Sequence, residues 1–190
     1  MTIRRSLAAT AATVLVASTL TFGVAGSAAA EPPIFIPDCA HMLIDPPTYF
    51  DDFAAINGQP AVAFTPARPL YGSDRPILKA FLNAWGATNC SWKLGKDATR
   101  NFTVSEVHMS WISDRLFRRW MANHGIVGVD QEGTLGGILY QVNDHEWSLL
   151  IHGRVWISIV ERGTSVFGYT MQAASYEIAN LNPWIYTGSE

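Results

Sequence analysis

The densest run of groups able to do chemistry is Asn143-Asp144-His145-Glu146. A histidine flanked by carboxylates can act as a general base oriented by Asp144 or Glu146, the equipment of a small secreted hydrolase. The same side chains include types that bind a divalent metal. Their position favours a plainer reading: the four residues fall between two strand-like runs, where such a composition makes an exposed turn. His152 stands one strand further on, about 20 Å away for six residues at ~3.3 Å each, so no shared metal is expected. His41, His108 and His124 read as structural. The chain carries no Gly-x-Ser-x-Gly elbow, no phosphate loop with lysine, no His-Glu-x-x-His and no calcium loop. No cofactor and no metal site are expected.

Aromatic residues offer a different chemistry, that of binding. Glu146–Ile151 and Val155–Val160 read as a hairpin turning at His152-Gly153, a pair suited to a tight two-residue turn. That turn pairs Ile151 with Arg154, Leu149 with Trp156 and Trp147 with Ser158. Leu150, Val155, Ile157 and Ile159 then form core, while Trp147, Leu149, Ile151 and Trp156 make the other face apolar too. A sheet with one wet side should alternate. Either a second layer covers this face, or Trp147 and Trp156 form an exposed patch for a sugar, peptide or protein.

Two cysteines remain to be placed, Cys39 and Cys90. Outside the cytoplasm an even pair is most simply one disulfide. Closing a loop of about fifty residues is worth roughly 3–4 kcal/mol in an unstrained fold. Two free thiols, one of them a nucleophile, are the alternative, though no Cys-His arrangement is apparent locally.

The elements that must position these residues follow from periodicity and punctuation. Glu31–Pro37 is proline-rich and reads as an extended arm. Asp45-Pro46-Pro47 has the form of a helix start, with the helix running to about Ala55 and Asn57-Gly58 breaking it. Residues 61–65 suit an edge strand cut short by Pro66 and Pro69. Ser73 or Asp74 caps a helix whose inner face is Ile77, Leu78, Phe81, Leu82 and Trp85, stopping at Gly86. Strands follow at Asn89–Trp92 and Phe102–Met109. Ser113 or Asp114 opens a third helix with Leu116, Phe117, Trp120 and Met121 inward. Further strands read at 126–130, 136–142, 146–151 and 155–160, and a last helix spans Tyr169–Leu181, stopped by Asn182-Pro183. Helix then strands recurs from 75 to 109 and from 113 to 160. The pattern predicts a single α+β domain: an antiparallel sheet, helices packed on one face, one disulfide.

Met1–Ala30 reads as a cleaved secretory signal. Arg4 and Arg5 precede an uncharged stretch, Leu7–Val24, and Ala28-Ala29-Ala30 closes it as an A-x-A site. No cysteine follows for lipid attachment, and no later stretch approaches a membrane span. The chain has a net charge of −3; without residues 1–30 it has 11 Lys+Arg against 16 Asp+Glu. That balance speaks against nucleic acid or an anionic membrane as partner, since no basic stripe is there to neutralise phosphates. Arg115, Arg118 and Arg119 are the one basic cluster and read as a solvated helix face.

Three islands carry a family likeness: Asp38-Cys39, Cys90-Ser91-Trp92 within Ala84–Trp92, and Asn182-Pro183. In these the chain resembles secreted and lipid-anchored actinobacterial envelope proteins with a Cys…Cys-x-Trp pattern, some of them similar to extracellular sensor domains. The resemblance implies a disulfide between the early cysteine and that strand, and a non-catalytic role; it supplies no site residues. The expectation is a secreted ligand- or partner-binding protein of the cell envelope. The alternatives are a hydrolase using His145 with Asp144 or Glu146, and a homodimer formed through the Trp147/Trp156 face.

Overall fold

The computed structural model describes residues 32–43, 49–131, 136–151, 154–165 and 167–186. From Pro33 onward they form one compact unit. In chain order the elements are α1 (Tyr49–Asn57), β1 (Ala61–Ala63), α2 (Pro76–Ala84), β2 (Thr88–Leu94), β3 (Asp97–His108), α3 (Trp111–Asn123), β4 (Gly128–Asp130), β5 (Ile138–Asn143), β6 (Glu146–Ile151), β7 (Val155–Arg162) and α4 (Phe167–Leu181). A short 3-10 turn, Pro183–Tyr186, follows. The predicted helix start at Asp45-Pro46-Pro47 lies outside the described residues.

The seven strands form one sheet in the order β1-β2-β3-β7-β6-β5-β4, and every neighbouring pair is antiparallel. The fold is therefore α+β with an antiparallel sheet, as the strand-and-helix pattern predicts. The helices, however, cover both faces rather than one. On one face α1 and α4 bring Tyr49, Phe53, Met171, Ala174 and Ile178 onto Trp92, Phe102, Val104, Ile157 and Ile159. On the other, α2 and α3 bring Leu78, Leu82, Phe117 and Met121 onto Val107, Tyr140, Val142, Leu150 and Trp156. The physical reason is in β3 and β7. Residues 101–107 and 155–161 are buried without interruption, and strands buried on both sides, with Phe102, Val104, Ile157 and Ile159 on one face and Val107 and Trp156 on the other, need two covering layers.

Local chemistry sets the boundaries. Helix α3 begins earlier than predicted because Ser110, not Ser113, is its N-cap, accepting from the Ser113 amide. Helix α2 has no side-chain cap; Pro76 opens it and the side chains of Ser73 and Asp74 are engaged elsewhere. The arm is tied to the end of α4 by Asn182. Its Oδ1 accepts from the Phe35 amide at 2.7 Å and its Nδ2 donates to the Phe35 carbonyl at 2.8 Å. Cys39 and Cys90 form a disulfide that joins the arm to β2.

The β6–β7 hairpin departs from the predicted register. The pairs are Ile151–Val155, Leu150–Trp156, Leu149–Ile157 and Trp147–Ile159; the predicted turn residues His152-Gly153 themselves lie outside the described residues. This register differs from the predicted one by one position, which moves one strand's side chains to the other face relative to its partner. Trp156 thus leaves the face that carries Trp147 and joins Leu150 on the opposite side.

Candidate functional site

Between β1 and α2 the chain, exposed at Thr65 and at 67–69, crosses the α2/α3 face of the sheet as a strap, residues 64–75, buried at Gly72 and Ser73. It meets four strands in order. The Phe64 amide donates to the Ser91 carbonyl of β2 at 3.0 Å. The Gly72 amide donates to Ser105 Oγ of β3 at 2.6 Å, and Ser158 Oγ of β7 donates to the Gly72 carbonyl at 2.6 Å. Ser73 Oγ then donates to the Glu146 carboxylate at the start of β6. Small hydroxylated residues are needed beneath it, because a backbone lying on a sheet must find partners for its N–H and C=O groups. Ser105 donates in turn to Asn89, while Ser148 and Ser158 are 3.2 Å apart. These buried serines serve the strap.

The strap delivers Ser73 and Asp74 to the residues that sequence marks as the strongest catalytic candidates. Glu146 is fully buried and accepts from Ser73 Oγ, from the Asp74 amide at 2.9 Å and from Asn143 Nδ2 at 3.3 Å. Burial raises its pKa, partly offset by the Ser73 and Asp74 hydrogen bonds. The imidazole of His145 meets neither Asp144 nor Glu146; its Nε2 lies 3.2 Å from Asp74 Oδ2. Asp74 also accepts from Arg162 Nη2 at 2.5 Å and has Lys79 Nζ 3.7 Å away. Burial pushes the Asp74 carboxyl upward, but the Arg162 hydrogen bond and charge, then His145 and Lys79, outweigh it and hold it below the usual range. Asp144 is exposed at the tip of the β5–β6 turn.

Sequence reasoning missed Ser73, Asp74 and Arg162 because they lie 71 to 88 residues from their partners or from one another. The arrangement is a clasp that fastens the strap to the sheet edge. The Ser73 hydroxyl is buried and turned to Glu146 rather than to the imidazole, so it is not a nucleophile paired with His145. Among the described residues no group of three or more His, Cys, Asp or Glu could hold a metal.

The predicted aromatic surface is not a surface. Trp156 is fully buried under α2 and α3, with Phe117 at 4.6 Å and Trp85 at 5.9 Å between ring centroids. Trp147 is half-buried on the other face, stacked on Phe167 at 4.2 Å. The register change explains the separation, and the covering helices explain the burial.

A cleft of about 440 Å³ opens instead where the strap leaves β1. The strap supplies Phe64, Pro66, Pro69 and Leu70, β2 supplies Asn89–Trp92, and Cys39 of the disulfide closes one end. Its walls are mostly apolar. Asn89 and Ser91 already bond within the fold, to Ala87 and Ser105 and to Thr103. The signal in the sequence was the pair Pro66 and Pro69, which read as the end of a strand rather than as a wall.

The chain matches no known family model, no curated protein and no solved structure. The disulfide, and the absence among the described residues of any helix long and apolar enough to cross a membrane, are compatible with a secreted protein.

Proposed function

We propose that the chain is an exported, non-enzymatic binding protein of the cell envelope, and that its ligand is a small apolar molecule held in the cleft beside the disulfide. The observation that carries this reading is the cleft itself. Its volume of about 440 Å³ lies in the range of small-molecule sites, and a mostly apolar lining with few polar groups is their common composition. Two features pre-form it: the Cys39–Cys90 bridge on one side and the strap, fixed at Ser91 and at Gly72, on the other. Such rigidity lowers the ordering cost of binding. Export rests on the leader-like Met1–Ala30 and on the likeness to envelope proteins.

The hydrolase alternative has the 3.2 Å contact between His145 and Asp74 in its favour. Asp74 is shared with Arg162 and Lys79, which suits a clasp better than a base-orienting carboxylate.

The test is titration with an apolar fluorescent probe, anilinonaphthalene sulfonate, followed by competition with a panel of small apolar molecules. Phe64→Ala with Leu70→Ala should weaken binding by at least about tenfold, the loss of roughly 1.4 kcal/mol or more of apolar contact. Trp147→Ala should leave it unchanged. Equal binding by the double variant and the unaltered protein would move the site elsewhere.

A further inference from the structure

Helix α3 turns an apolar and basic face to solvent. Trp111, Ile112 and Leu116 are 55 %, 56 % and 47 % exposed, whereas periodicity places Leu116 in the core. The buried side of the helix is the line Ser113, Phe117 and Met121. The exposed lines are 111, 115, 118 and 112, 116, 119, residues three and four apart that neighbour each other on the surface. Three arginines therefore sit among the three large apolar side chains. Arg115 lies over the Trp111 ring, 5.2 Å from its centroid. Arg118 is held by Asp114 at 2.8 Å, and Asp114 is the helix's one acid. The helix is thus net positive in a chain of net charge −3.

Three large apolar side chains exposed on one helix mark an interaction surface. The charge decides the partner. A second copy docked helix to helix would set arginines against arginines, which disfavours self-association. The patch lies on the outward curve of a helix, suited to a flat partner rather than to a ligand that needs a pocket. Tryptophan and arginine beside aliphatic side chains is the composition that lies in the headgroup layer of an anionic bilayer. We propose that α3 docks the protein peripherally on a membrane surface rich in anionic phospholipid, with Trp111, Ile112 and Leu116 entering the headgroup layer and Arg115 and Arg119 pairing with phosphates. The acidic remainder of the molecule then faces away from the bilayer and orients it.

Among the described residues both cores begin at Ile34, and Pro33–Glu190 is a compact unit by itself; the chain to test begins at Glu31 and lacks the apolar stretch Leu7–Val24, which would bind lipid by itself. This chain should co-sediment with vesicles of equal phosphatidylcholine and phosphatidylglycerol. Binding should be at least about tenfold weaker to phosphatidylcholine alone and should fall with added salt. Ile112→Ser with Leu116→Ser, and separately Arg115→Gln with Arg119→Gln, should each lower binding by about tenfold or more. All four positions are exposed, and circular dichroism and melting temperature should not move. Equal binding to both lipids, no binding to either, or variants that bind as the unaltered chain does would overturn the proposal. So would a dimer in gel filtration that Leu116→Ser dissolves, since that assigns the patch to a second copy.

Discussion

Glu106 is the residue whose surroundings least resemble water. It sits on β3 opposite Ile157, on the face covered by α4, and is fully buried with neither carboxyl oxygen hydrogen-bonded. Burial, and secondarily the charge of Glu177, pushes its pKa well above the usual carboxylate range. A carboxyl whose folded pKa exceeds its unfolded value near 4.3 binds its proton more tightly in the native state. Folding stability is therefore highest at acid pH with respect to this group, and falls as pH rises from about 4.3 toward the folded value. Glu106→Gln should remove that fall. The variant should match the unaltered protein near pH 4 and exceed it near pH 7, because an amide of the same shape has no charge to bury as pH rises. Urea unfolding at the two pH values measures this; a variant no more stable at pH 7 would mean that the buried carboxyl is accommodated without cost. Asp74 works in the opposite sense. Its depressed pKa lends stability above the unfolded value near 3.9, lost as pH falls through the folded one.

At the scale of elements the strap 64–75 is the feature most dependent on one atom. A Cβ at Gly72 would stand 1.9 Å from the Ser158 carbonyl oxygen and 2.5 Å from its carbon. Backbone cannot move aside as a flexible side chain can, so Gly72→Ala should lift the strap from β3 and β7 and break both serine bonds. The expected destabilisation is about 3 kcal/mol or more, against about 1–2 kcal/mol for Ser105→Ala, which removes two hydrogen bonds, one from the Gly72 amide and one to Asn89, and leaves the backbone in place. The urea midpoints of the two variants decide it: equal shifts would mean that the strap rides above the sheet. The same strap shows why the sequence was only partly legible. Periodicity located α2, β2, β6 and α4 within a few residues because each has an apolar face of its own. It could not see that Ser105, Ser148 and Ser158 leave room for a crossing chain, since a buried serine reads as any polar residue. Nor could it see that Leu116 faces water or that Trp156 faces α3. The first depends on where the neighbouring layer ends, the second on a strand register one position away from the one a two-residue turn would set. The candidate site was legible at His145 and Glu146 but not at Asp74, which reaches them only through the strap, or at the cleft, whose walls come from a stretch with no periodicity.

The whole molecule is organised about the pairing of β3 with β7. That seam divides the sheet into two halves, β1-β2-β3 and β4-β5-β6-β7; the recurring helix-then-strands pattern supplies β2 and β3 of the first, from 75–109, and the strands of the second, from 113–160. The halves meet along eight residue pairs, from Asn101–Arg162 to His108–Val155. Neither half is complete without the other. The α1/α4 core joins Trp92 and Phe102 of the first to Leu149 and Ile159 of the second, and the α2/α3 core joins Leu82 to Tyr140 and Trp156. Such a structure should unfold as one cooperative unit with its seam the last part to open, because β3 and β7 lie at the centre of the sheet, pair over eight residues and are buried on both faces. The edges are the reverse: β1 and β4 each pair over three residues and have one neighbour. Native-state hydrogen exchange should therefore find the amides of Thr103–Val107 and Ile157–Val160 opening only with global unfolding, and those of β1 and β4 opening at a small fraction of that free energy. If β3 instead exchanged faster than β5 and β6, the two halves would be separate folding units that dock late, and the seam would be an interface rather than a core. The uninterrupted burial of residues 101–107 and 155–161 argues for the core, since an interface formed late would have to leave both strands exposed along one whole edge until docking.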